Sequence, residues 1–183
     1  MSADPRHYPP EYDETVVLRD ARLARLRLLG PDDKGLLTRT FERLSERSRY
    51  QRFFAAKATL SAEDLSALTD CDGENHLAIA ALSPIGGDGV GVARFIRTLA
   101  DPAAAEAAIA VIDSWQRCGL GTILLVRLFA AAAERGIDRL VLHMLSSNTS
   151  MAALVRKSSP RTSLSPAPPF GVSAVVPVGR ASR

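Results

Sequence analysis

The chain has 183 residues, enough to bury one hydrophobic core without disulfide or metal staples. Hydrophobic residues make up 46% and charged residues 23%, ordinary values for a globular domain, which argues against a disordered or fibrous chain. The net charge of +3 has a local source, since no Asp or Glu follows Asp138, so a nucleic-acid-binding stripe is not needed to explain it.

Residues 1–13 carry Pro5, Pro9 and Pro10 among charges and lack the apolar centre of a signal peptide; a disordered leader is expected there. Thr15 to Leu18 and Leu23 to Leu28 read as two strands, the second from the alternation of Ala24, Leu26 and Leu28 with Arg25 and Arg27. Pro31-Asp32-Asp33 opens a helix with Leu37, Phe41 and Leu44 on one face. A second short helix carries Tyr50, Phe53 and Phe54, and Ser61-Ala62-Glu63-Asp64 resembles a capping box starting a third. Around Gly73, Asp70, Asp72 and Glu74 are too few and wrongly spaced for a calcium loop and read as a turn.

His76 to Leu82 and Val90 to Ile96 read as antiparallel strands joined by a Pro/Gly turn, and Glu106 to Ile112 as the next strand. From Leu120 the residues Leu124, Leu125, Leu128, Phe129 and Ala132 keep a helical period that Gly136 ends. Leu140 to Leu145 reads as a strand, which makes a crossover unit with parallel strands. A short helix runs from about Thr149 to Lys157. Beyond it, residues 158–183 hold six Ser, five Pro and no carboxylate, with one weak strand candidate at Ala174-Val175-Val176, and an unstructured tail is expected. Cys71 and Cys118 lack a CxxC spacing and read as reduced thiols of a cytoplasmic protein. No apolar run approaches the ~18 residues of a membrane span.

The chemistry concentrates at Gln116-Arg117-Cys118-Gly119-Leu120-Gly121-Thr122, between an apolar strand and a long helix. Such a turn is an anion cradle, because the first N–H groups of a helix have no intrahelical acceptor and the dipole favours negative charge. A dinucleotide fingerprint would need a third glycine where Leu124 stands, and a P-loop would need a lysine that Gly121-Thr122-Ile123 lacks.

The remaining pattern, Gln116-x-x-Gly119-x-Gly121, resembles the Q/R-x-x-G-x-G/A turn of the GNAT acyltransferase superfamily. Asn148-x-x-Met151-x-x-Leu154 resembles the opening of that family's last helix. Upstream, Ser45-x-x-Ser48-Arg49-Tyr50-x-Arg52-Phe53-Phe54 and Gly91-Val92-Ala93-Arg94 are similar to the acetyltransferase domains of bacterial protein-lysine acetyltransferases. The resemblance covers residues 14–157. It implies an α/β fold with a mixed sheet whose two central parallel strands splay apart around acetyl-CoA. It also implies acetyl transfer to an amine acceptor, a protein lysine or a small molecule, by direct attack.

On this resemblance the backbone of Gln116, Arg117, Cys118, Gly119, Leu120, Gly121 and Thr122 binds the CoA pyrophosphate, with glycine needed for close approach and one glycine expected at positive φ. Cys118 reads as a small filler rather than a nucleophile. Ile109 and Val111 offer backbone groups to the pantetheine arm. Asn148 has two compatible readings, a hydrogen bond near the thioester and a helix cap. A lysine of pKa ~10.4 is about 99.9% protonated at pH 7, a barrier of roughly 4.6 kcal/mol, so a base is required. Glu106 is the candidate, against the plain reading of an exposed strand glutamate. His143 reads either as a core histidine or as a group titrating near neutrality, and Trp115 as a packing anchor.

Many family members continue the last helix as L-Y-x-x-x-G-F and add two strands. Here Val155, Ser159 and Pro160 stand at the tyrosine, glycine and phenylalanine, so the usual general-acid tyrosine is absent. The break predicts missing or degenerate C-terminal strands, as a frameshifted or replaced end would give, and with them an impaired acceptor side. Two rivals follow: a non-catalytic acyl-CoA sensor, and a protein-interaction module whose turn binds no nucleotide.

Overall fold

The computed structural model describes residues 8–168 and 171–178. Eight strands form one mixed sheet: β1 (Asp13–Val17), β2 (Leu23–Leu28), β3 (His76–Leu82), β4 (Gly89–Thr98), β5 (Asp101–Val111), β6 (Arg139–Met144), β7 (Ser163–Ala167) and β8 (Gly171–Pro177). Five helices accompany them: α1 (Lys34–Glu42), α2 (Glu46–Phe53), α3 (Ala62–Thr69), α4 (Leu120–Glu134) and α5 (Thr149–Ser158). The strand order is β1-β2-β3-β4-β5-β6-β8-β7, antiparallel throughout except between β5 and β6.

That exception is the crossover unit expected from the order strand, turn, helix, strand. Its helix α4 buries Leu120, Leu124, Leu125, Leu128, Ala131 and Ala132 against the sheet. It ends where Gly136 takes a φ of +71° and its N–H bonds Ala133 O. The larger core lies on this face, with Leu26, Ile79, Phe95 and Leu140 fully buried. A smaller cluster, Leu29, Leu36, Leu37, Ala78, Ala80, Leu82 and Val92, packs on the other face beneath α1.

Several local expectations hold in detail. β2 and β3 have the bounds that alternation and apolar length give. The Ser61 capping box is formed, with Ser61 Oγ accepting from Asp64 N at 3.1 Å and Asp64 Oδ2 from Ser61 N at 2.8 Å. The helix expected from Pro31-Asp32-Asp33 starts later: Pro31–Asp33 forms a separate 3₁₀ turn ahead of α1, in which the Asp33 carboxylate accepts from Gly30 N at 2.9 Å and pairs with Arg27.

The turn around Gly73 is held by Asp72, whose carboxylate accepts from the backbone N–H groups of Glu74 at 2.8 Å, Asn75 at 2.7 Å and His76 at 2.9 Å. Partial burial pushes this carboxyl up, and the hydrogen bonds from His76, Glu74 and Asn75 outweigh it and bring it down to about 2. A carboxylate whose folded pKa is depressed stabilises the fold above its unfolded pKa near 3.8 and stops doing so as pH falls through about 2. Asp72→Asn is therefore expected to cost about 1 kcal/mol at pH 7, the linkage value reduced for solvent exposure. The deficit should disappear between pH 4 and pH 2, read as converging urea midpoints; a deficit independent of pH would refute the assignment.

The two chain ends differ from expectation. Within the leader expected to be disordered, Tyr8 and Tyr12 are buried with ring centroids 4.8 Å apart. Tyr8 N donates to Glu134 Oε2 at 3.1 Å, and Arg135 Nη2 donates to Tyr8 O at 3.0 Å, so residues 8–12 are docked on the end of α4. Residues 1–7 lie outside the described residues.

Within the Ser/Pro-rich segment, expected to be an unstructured tail with one weak strand candidate at Ala174-Val175-Val176, that candidate lies inside β8, which pairs antiparallel with β6 from Arg139↔Pro177 to Met144↔Val172, and β7 pairs with β8. Ala174 and Val176 are fully buried. The prolines are tolerated by position: Pro166 lies on β7, the sheet edge, where no further strand needs its missing N–H, and Pro177 closes β8. Gly171 begins β8 at a φ of +105°, and a Cβ there would stand 2.6 Å from Ser146 N, so only glycine passes this crossing.

Candidate active site

The central feature is a divergence in the sheet. β5 and β6 pair only at Ala104↔Arg139, Ala105↔Leu140 and Glu106↔Val141, although β5 continues to Val111 and β6 to Met144. Beyond Glu106 the two strands splay, as expected of the family's central strands.

Backbone parity shows what faces the gap. Ile112 N donates to Val90 O at 3.0 Å, so the alternate residues Ala110 and Ala108 direct their backbone groups to β4. The groups of Ile109 and Val111 then face the gap, a sheet edge with no partner strand.

Past the end of β5, where the strands have diverged, a 3₁₀ turn, Asp113–Trp115, leads into the Gln116–Thr122 segment and α4. Gly119 is the N-cap of α4 at a φ of +96°, and Arg117 also takes positive φ, +61°. α4 has no side-chain cap, and its first turn begins with Ile123 N bonding Gly119 O. The N–H groups of Leu120, Gly121 and Thr122 thus form the uncapped helix start that an anion fits. The two glycines have different reasons. Gly119 supplies the positive φ, whereas Gly121 is helical and a Cβ there would come within 3.1 Å of Leu154 Cδ2 on α5.

Gln116 is a tether. Its Nε2 donates to Val111 O at 3.0 Å and reaches Ser48 Oγ at 3.4 Å. Asp113 extends this link by accepting from Ser45 N at 3.0 Å, Ser45 Oγ at 2.9 Å and Ser48 Oγ at 3.1 Å. Burial raises its carboxyl, and these hydrogen bonds more than offset that and hold it below the usual range. The start of α2 is thereby joined to the turn. Ser45, Ser48 and Asp113 were not among the expected site residues.

Cys118 is buried, its Sγ donating to Trp115 O at 2.9 Å, which fits a filler. Arg22 lies 4.4 Å over the Trp115 ring and donates to Ser114 O at 3.0 Å.

The splay opens into a cleft of about 260 Å³ whose lining includes Arg52, Arg94, Glu106, Ile109, His143 and Asn148. Glu106 is exposed and sits at the last parallel pair, at the point of divergence, rather than at the head of its strand, because β5 starts at Asp101. Asn148 caps α5, its Oδ1 accepting from Met151 N at 3.1 Å, while also lining the cleft. His143 is half-buried on β6 facing the same space.

Two arginines here were not anticipated. Arg94 is 3% exposed, in a strand otherwise apolar from Val90 to Phe95. Its Nη1 donates to Leu68 O at 2.6 Å and to His76 Nε2 at 3.2 Å, which makes His76 a neutral ring whose Nδ1–H donates to Asp70 O at 2.8 Å. Burial and the Arg94 charge keep His76 below its ordinary pKa. Burial lowers Arg94 to about 10, and burial with the charge of Arg94 lowers Arg52 to about 10. A charged residue inside an apolar strand was the available signal for Arg94.

A larger hollow of about 540 Å³, lined by Tyr8, Leu29, Cys71, Asp72 and Glu134 among others, touches neither β5 nor the start of α4. The divergence is the better site, since backbone, helix start and polar side chains converge there. Among the described residues no group of His, Cys, Asp and Glu could hold a metal ion, and no helix is long and apolar enough to cross a membrane.

A profile of the acetyltransferase (GNAT) family matches residues 35–158. Among solved structures, the GNAT domain of S. lividans PAT is 32% identical with a TM-score of 0.83, the match covering 92% of this chain and 98% of that one. A cAMP-binding acyltransferase from Mycobacterium smegmatis aligns at 24% identity and a TM-score of 0.64 over 92% of this chain and 48% of its own. The Salmonella typhimurium protein yncA, solved with its cofactor acetyl-CoA, aligns at 15% identity and a TM-score of 0.68 over 87% and 96% of the two chains. With this profile match and this identity to the PAT domain, the chain belongs to the acetyltransferase (GNAT) family.

Proposed function

We propose that the protein transfers an acetyl group from acetyl-CoA to an amine, by direct attack of the amine in the β5/β6 cleft. The observation that carries this reading is the alignment of three elements along one gap: the uncapped start of α4, the edge of β5 at Ile109 and Val111 that has no strand partner, and the exposed carboxylate of Glu106. In this reading the N–H groups of Gly119 to Thr122 hold the pyrophosphate, with Arg117 adding a cation beside it. The edge of β5 orients the pantetheine arm. Bound acetyl-CoA supplies the acyl group, activated as a thioester. Glu106 accepts the proton of the attacking ammonium, and Asn148 reaches the acyl end while still capping α5. Val155 stands in the core at 0% exposure and supplies no acid, so the departing sulfur takes its proton from solvent.

The aliphatic residue at 155 is also the observation that favours a non-catalytic sensor, which needs the cofactor grip without a proton donor. The strands β7 and β8 count against an incomplete acceptor side. Calorimetry with acetyl-CoA and CoA, followed by thiol release over a panel of amines and lysine peptides, separates the readings. Binding and release are expected; binding without release would favour the sensor, and no binding would remove both in favour of an interaction module.

A further inference from the structure

Arg52 and Arg94 are two guanidinium groups lining one small cleft. Among the described residues no carboxylate pairs with either of them. Each stays protonated at pH 7 even with its pKa lowered to about 10, so their repulsion is carried by the resting protein. Arg94 directs one Nη1 to Leu68 O and His76 Nε2, which fixes the group and leaves the rest of its fork of donors unused. Arg52 stacks 4.9 Å from the Phe53 ring at the end of α2 and makes no hydrogen bond among the described residues. Two guanidiniums lining one cleft with open donors form a receptor for a planar or tetrahedral anion.

The register places this receptor beside the base. On β4 and β5, Arg94 faces Ala108 and Ile96 faces Glu106, so Arg94 and Glu106 are diagonal neighbours on the same face of the sheet, about 7–8 Å apart by ladder geometry. A ligand spanning the two has an amine at one end and an anion at the other. The cleft volume of about 260 Å³ lies below the range of drug-sized pockets and suits a small molecule better than a peptide.

Resting on the acetyl-transfer reading of the same site, we propose that the acceptor is a small amine carrying an anionic group, a carboxylate or phosphate, which Arg52 and Arg94 hold while its amino group meets Glu106. The anion then sets substrate choice. An amine without an anionic group leaves two guanidiniums uncompensated and is rejected by the same residues that bind the acid.

The test is calorimetric titration of the full chain, alone and saturated with CoA, with 5-aminopentanoate, 3-aminopropylphosphonate and 5-aminopentanamide, which keeps the amine but has no anionic group. One of the anionic amines is expected to bind at least tenfold more tightly than the amide, and the tighter one identifies the anion. Arg52→Gln should erase that preference and Arg52→Lys should keep part of it. Equal affinity of acid and amide in the wild type would overturn the proposal without reliance on any variant, as would tighter binding of an acidic lysine peptide. Absence of the CoA heat marks failure of the donor reading; absence of an acid preference marks failure of this one, whichever CoA result accompanies it.

Discussion

Glu106→Gln is expected to lower kcat/KM for the best amine acceptor by about 10²- to 10⁴-fold, the usual contribution of a positioned general base. The amine is the reason for so large an effect. At pH 7 nearly all of it is protonated and cannot attack, so a group that accepts the proton within the complex removes most of a barrier of roughly 4.6 kcal/mol. The substitution is well placed for the purpose. Glu106 is exposed and makes no ion pair among the described residues, so the amide should leave stability within about 0.5 kcal/mol. Affinity for acetyl-CoA should be unchanged, because the grip proposed for it lies further along β5 and at α4. The pH profile supplies the control that a structural role would not move. Without the carboxylate the rate should keep climbing toward the pKa of the amine, whereas the wild type should level off earlier. Activity within threefold of wild type at pH 7 would exclude Glu106 as the base and direct attention to His143 across the cleft.

The elements legible in the sequence are those whose own pattern decides them. Alternating Leu and Arg gives β2, an unbroken apolar run gives β3, and the Leu124, Leu125, Leu128 period with Gly136 gives α4. β5 was legible only in part. Its first residues, Asp101 to Ala105, include a proline and three alanines with little strand preference, and they are held there by pairing with β4 and β6 rather than by their own propensity. The prolines of the C-terminal segment misled for a related reason, since a local reading does not know which strand will be the sheet edge. The Gln116–Thr122 turn is visible because its residues are contiguous. Its brace is not, because Ser45 and Ser48 lie more than 60 positions from Asp113 and become neighbours only when α2 docks beside the end of β5. Arg94 is written in the sequence as a charge in an apolar strand, but its place beside Arg52 in one cleft exists only in the folded chain.

Thr122→Glu is expected to weaken acetyl-CoA binding by about 10- to 100-fold while leaving the melting temperature unchanged or slightly raised. Gly119→Trp is the more obvious probe of the turn, and it should also lose affinity. It would do so ambiguously: at a φ of +96°, with Arg19 Cγ 3.3 Å from the added Cβ, a side chain strains the turn itself. Thr122 separates gripping from folding because the two effects have opposite sign. It is the third residue of α4, where a carboxylate interacts favourably with the helix dipole and stabilises by about 0.3–1 kcal/mol. The same carboxylate competes with any anion bound at that helix start. Two unit charges about 5 Å apart at an effective dielectric near 20 repel by roughly 3 kcal/mol, about two decades in affinity before salt screening reduces it. The deficit should therefore shrink as ionic strength rises, which a packing defect would not do. Calorimetry at two salt concentrations, beside a thermal melt, measures both quantities on one preparation. An unchanged Kd for acetyl-CoA in Thr122→Glu would mean that the start of α4 does not hold the pyrophosphate, whatever becomes of Gly119→Trp.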